Sequence, residues 1–177
     1  MISITLGFWL FVIFFGSVGA MRGWAKELIV SFSVILSIAI ITLLEEYVPP
    51  IRQFISEPST ISFWFKTLFL LALAFFGYQT PNIPKLAGTK FAREKLQDAL
   101  FGFIIGAFNG YLIIGSIWFF LAEAGYPFDL ITPPIAGTPA GESAAQLFEL
   151  LPPQWLTAPV VYFAVFIAFA FVVIVFI

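Results

Sequence analysis

Five stretches of this chain, at about 4–21, 24–44, 61–78, 99–122 and 159–177, are nearly unbroken runs of apolar residues. Each matches the length that a helix needs to cross a hydrocarbon layer of about 30 Å, roughly 20 residues at 1.5 Å per residue. Lipid offers no partner to an exposed backbone amide or carbonyl, so a crossing segment must satisfy its backbone internally. The runs therefore predict an all-α fold, a polytopic membrane helix bundle of about five transmembrane helices. Composition agrees, with 61% of residues hydrophobic, 10% charged and a mean hydropathy of +1.04, against about 25% charged in a soluble domain. A soluble core built from 177 residues needs a polar shell, and these residues cannot supply one.

The chain contains no Cys and no His. That removes thiolate nucleophiles, disulfides, Fe–S clusters, imidazole bases and His-ligated haem or chlorophyll. No catalytic centre, metal site or cofactor is expected apart from bound lipid; a pigment or quinone would be held only by apolar contact. The net charge of -2 is spread over short connections and points to neither nucleic acid nor a polyanionic ligand.

The first run ends in the small residues Ser17, Val18, Gly19 and Ala20, as a secretory signal does. A signal, however, carries its basic residues before the apolar stretch. Here Arg22 and Lys26 follow it, so a retained anchor is expected. Basic residues near span ends are kept in the cytoplasm. Arg22 and Lys26 occupy the first connection and Lys85, Lys90, Arg93 and Lys95 the third, whereas the opposite side holds Arg52 and Lys66. The division predicts the N-terminus outside and the C-terminus in the cytoplasm.

The long fourth connection, 123–158, is rich in Pro and Gly. Within it, 142–151 is expected to form a short helix lying flat on the outer interface, with Leu147, Leu150 and Leu151 on its apolar side and Trp155 as an interfacial anchor. The segment reads as an ordered cap on the bundle.

Two motifs carry most of the physics. Around the first reversal, Gly16, Gly19 and Gly23 permit close backbone approach and a tight turn. Arg22, Lys26 and Glu27 beside them are expected at the lipid headgroups, setting topology, with Glu27 in the first turn of the second helix where the macrodipole favours an anion. In the fourth run, Gly102, Gly106 and Gly110 recur every four residues and mark a helix-packing face, expected to meet the first span near Gly16 and Gly19. Asn109 beside them is expected at mid-membrane depth, bonding across to Ser31, Ser33 or Ser37. Lys66, five or six residues inside the third run, is expected to pair with the glutamates that close the second run or to snorkel.

The segments GAMRGWAKE at 19–27 and DALFGFIIGAFNG at 98–110 resemble the colicin V production (CvpA) family. Its first hairpin carries an RG turn followed by an acidic residue, and its last shared helix reads approximately D-R-x-x-G-x-x-x-G-x-x-R-G. Asp98 and the three glycines fall at matching spacing, while Ala99 and Asn109 stand where the pattern has basic residues. The resemblance implies a CvpA-like four-helix membrane core at 1–122, followed by the external loop at 123–158 and a fifth transmembrane helix at 159–177. It also implies a bacterial inner-membrane protein linked to colicin secretion and envelope homeostasis. Some relatives add a trypsin-like protease domain, for which this chain has no His.

These readings favour a non-catalytic membrane scaffold or accessory subunit of a larger membrane complex, respiratory or photosynthetic complexes included, with the bilayer and other transmembrane subunits as partners. The alternative is a small channel or transporter. That would need a polar route through the bilayer, and no carboxylate lies in the middle of any run.

Overall fold

The computed structural model describes residues 4–55, 57–79, 92–128, 131, 133–135 and 137–176, and among these every regular element is a helix. Four helices are long and apolar enough to cross a membrane: α1 (Ile4–Arg22), α2 (Trp24–Tyr47), α4 (Thr60–Tyr78) and α5 (Ala92–Glu123). Between α2 and α4 lies the short α3 (Pro49–Ile55), and after α5 come α6 (Pro139–Phe148), α7 (Pro152–Trp155) and α8 (Val160–Phe176). The fifth apolar run thus forms α8, a helix of 17 residues, at the short end of what spans a bilayer.

Local chemistry sets the boundaries. Gly23 separates α1 from α2 with φ +89°, a left-handed backbone that glycine adopts without a side-chain penalty. Pro49 and Pro50 open α3; proline disfavours helix in the residue before it but fits a first turn, so α2 stops at Tyr47 and a new helix begins. Ser59 caps α4 by accepting the Ser62 amide at 3.1 Å. α5 starts at Ala92, seven residues before the apolar run, because the charged and polar residues from Arg93 to Asp98 continue the helix past the span.

Contacts fix the directions of the helices. Gly19 packs on Gly102 and Gly106, Val12 and Phe15 on Gly110, and Phe8 on Tyr111 and Trp118, so α1 runs antiparallel to α5. Gly77 sits against Val30 and Ser33 while Lys66 meets Glu45, which makes α4 antiparallel to α2. Phe32 lies beside Phe169 and Glu46 beside Tyr162, so α8 is also antiparallel to α2. The bundle therefore has two ends: one carries Arg22, Glu27, Tyr78 and Asp98, and the other carries Glu45, Lys66 and Glu123.

The interior is centred on α2. Val30, Val34 and Ile38 meet Leu70 and Ala74 of α4 and Leu112 and Ile113 of α5, all nearly inaccessible. The outward faces are apolar too, with Phe76, Phe101, Phe163 and Phe166 well exposed. Two charged groups lie inside instead, Glu27 and Lys66 being 0% and 2% exposed. A soluble fold has the reverse distribution.

The segment after α5 departs from the expected flat helix. α6 begins at Pro139, capped by Thr138 Oγ1 accepting the Gly141 amide at 3.0 Å, and ends at Phe148. Leu150 and Leu151 thus fall beyond its periodicity: Leu150 is exposed and Leu151 fully buried. Rather than resting free on an interface, the segment docks on the bundle. Phe148 stacks on Phe119 at 5.7 Å, Ala144 joins a cluster with Phe8, Val12 and Trp118, and Pro152 abuts Gly115 of α5. Tyr111 fastens it, its hydroxyl donating to the Leu150 carbonyl and accepting Trp155 Nε1 at 2.9 Å.

Candidate functional site

The α1–α5 seam positions everything at the Arg22 end. A Cβ on Gly106 would lie 2.8 Å from the Gly19 Cα, and one on Gly110 would lie 2.8 Å from the Phe15 Cβ, so neither position tolerates a side chain without displacement. A Cβ on Gly19 would strike the Gly102 carbonyl, and one on Gly16 would meet the Phe103 ring at 3.0 Å. In lipid, close packing of this kind is the main source of helix association. The seam brings the end of α1 against α5, and the hairpin then swings α2 onto the same helix.

Glu27 is the centre of the resulting cluster. It is fully buried and not at the headgroups with Lys26, because position 27 shares the α5-facing side of α2 with Ser31 and Val34. One of its carboxylate oxygens pairs with Arg22 Nη1, and the other accepts from Asn109 Nδ2 at 2.9 Å. Asn109 Nδ2 also donates to the Glu27 carbonyl at 2.9 Å, and Asn109 Oδ1 accepts from Ser31 Oγ at 2.6 Å. The amide is thus used on both sides, and Asn109 is wholly buried. It stands opposite the first two turns of α2, nearer the bundle end than mid-depth, since α5 overhangs α2 by its early turns.

Arg22 is held too. Its Nη2 donates to the Tyr78 carbonyl at 3.0 Å, and its guanidinium lies 4.4 Å from the centre of the Tyr78 ring. Four helices therefore converge on one ion pair. Asp98 adds a further link: its carboxylate accepts the Trp24 amide at 3.4 Å and faces Gly23. α2 has no side-chain cap of its own, so α5 supplies an acceptor for one of its orphan amides.

A family comparison matches residues 4–129 to the colicin V production protein family. The chain belongs to that family. The match takes in α1 to α5 and hence the entire Arg22–Glu27–Asn109 cluster. No curated protein matches, and no solved structure does. The colicin V production pattern has Arg where this chain has Asn109; here Arg22 already neutralises Glu27, and a neutral amide completes the carboxylate's hydrogen bonds.

The second cluster joins three helices of the colicin V production core at the other end. Lys66 Nζ lies 2.6 Å from Glu45 Oε1 and 2.7 Å from Glu123 Oε2. Lys66 is the expected pair with the end of α2, and Glu123 is the partner that sequence reading missed, being 57 residues away at the end of α5. Between the two clusters lie Val34, Ile38, Leu70, Leu112 and Ile113, interrupted by the isolated hydroxyls Ser37 and Ser116, the latter bonded to its own helix at Leu112.

Of the residues expected to act at headgroups, Lys95 is exposed on the overhang of α5 and Lys26 is half-buried at the start of α2. Arg22 and Glu27 are turned inward. Lys85 and Lys90 lie outside the described residues, and Arg93 is described only as part of the α5 backbone.

Proposed function

We propose that this member of the colicin V production protein family acts as a non-catalytic membrane scaffold, docking other transmembrane components against its apolar faces. One observation carries the reading. The two ionic clusters are separated by packed aliphatic side chains in which Ser37 and Ser116 are isolated hydroxyls, and this supports an interior that is a strut between its ends and not a route for a hydrated solute. Each cluster cross-links helices through ion pairs, the arrangement of a part whose shape must stay fixed. Bacterial inner-membrane placement, supported by family membership, and the outside position of the N-terminus, supported by the distribution of Lys and Arg, belong to the same proposal.

The test has two arms. Purification in mild detergent should retain a membrane protein partner at fixed stoichiometry, and the pure chain in liposomes should carry no ion or solute flux. A flux that Asn109→Leu abolishes while the fold persists would establish the channel reading instead.

A further inference from the structure

We propose that the cavity at the Lys66 end binds an organic ammonium group. The cavity measures about 230 Å³, and its lining combines the ionic group Glu45, Lys66 and Glu123 with Phe119, Phe120 and Leu156. Lys66 is 2% exposed and shared between two carboxylates, engaging a single oxygen of each. The wall therefore holds one negative charge in excess. Both glutamates line the cavity and are only partly covered, 31% and 38% exposed, so the excess charge lies on its wall.

Charge and shape select the ligand class. An anion is repelled by the surplus carboxylate, and Lys66 has no charge left for it. A hard divalent metal ion needs about six or more converging oxygens, whereas here an ammonium already stands between the two carboxylates. An ammonium carried on a methylene body asks for less: a single compensating charge, a few acceptor oxygens, and apolar or aromatic surface for its carbons. The cavity has that composition. Its place beside the α7–α8 junction, with Thr157 and Ala158 in its lining, puts it where either an amine-bearing lipid headgroup or a free amine can reach.

Ammonium binding is independent of partner docking, so failure of either leaves the other in place. The purified full chain in uncharged detergent is titrated calorimetrically with n-butylammonium chloride, with n-butanol and sodium butyrate as neutral and anionic counterparts. Saturable binding is expected for butylammonium alone, weakened at least about tenfold by Glu123→Gln, which removes the excess charge. If that variant loses its monodisperse form, Glu45→Gln carries the same expectation. Micelles doped with phosphatidylethanolamine or with diacylglycerol, both of zero net charge, then separate the sources: weaker apparent butylammonium affinity with phosphatidylethanolamine than with diacylglycerol identifies a lipid headgroup, and equal affinity identifies a free amine. No saturable binding, equal binding of butyrate, or unchanged affinity in a folded Gln variant overturns the proposal.

Discussion

Glu27 shows how much one side chain can organise. Its carboxylate is buried at the start of α2, where the helix dipole favours an anion, and it bonds to groups from α1 and α5 at once. Replacing it with Leu removes the carboxylate from the mostly buried Arg22 guanidinium and the Asn109 amide, leaving them only the main-chain carbonyls of Tyr78 and of position 27. Breaking a buried pair from one side costs about 3–5 kcal/mol, whereas losing an interhelical amide bond within a bilayer costs about 0.6–2 kcal/mol. Glu27→Leu should therefore lower the temperature at which the detergent-solubilised protein loses its monodisperse peak by more than Asn109→Leu does. The opposite order would mean that the ion pair is not what holds the three helices.

Pairs of helices are governed by glycine. α1 keeps most of its surface outward, with Leu6, Trp9, Leu10, Phe11 and Phe14 exposed, and it is joined to the bundle chiefly through the α5 seam. Leu at position 106 would drive the backbones apart at Gly19, while Leu at position 7 enters open space. Gly106→Leu is expected to cost several times the stability change of Gly7→Leu, read as thermal aggregation in the same detergent. Phe103→Leu should be mild, since Phe103 is 40% exposed and its ring merely covers Gly16. Comparable loss in both glycine variants would leave the seam without a structural role.

For the whole molecule, the alternation of α1, α2, α4, α5 and α8 puts the start of α1 and the α6–α7 cap at the Lys66 end, and the overhang of α5 at the opposite end. The chain has no native thiol, so single cysteines report sidedness without background. Glu142 and Lys95 are exposed, and Glu142→Cys should label only from outside and Lys95→Cys only from the cytoplasm. Position 142 suits the experiment better than 141, where a side chain would strike the Ile135 carbonyl. Labelling of Glu142→Cys from the cytoplasm alone would invert the proposed topology.

The sequence by itself determined four of the five expected spans, α1, α2, α4 and α5, because length and hydropathy are properties of a segment and a run of about 20 apolar residues satisfies its backbone within the segment only as a helix. It also determined the glycine seam, since residues four apart share a helical face whatever surrounds them, and the contacts of Gly106 with Gly19 and of Asn109 with Ser31 were legible for that reason. What only the tertiary structure decided are the partners that no periodicity encodes. Glu27 turns inward because α5 brings Asn109 opposite it, 82 residues along the chain. Asp98 caps α2 from another helix, and Glu123 closes on Lys66 from 57 residues away. The α6–α7 segment docks instead of lying flat because Gly115 leaves room for Pro152 and Tyr111 bonds the returning chain. A charge near a span end reads the same in sequence whether it faces phosphate or protein; the direction of the neighbouring helix settles which, and that direction is a property of the packed bundle.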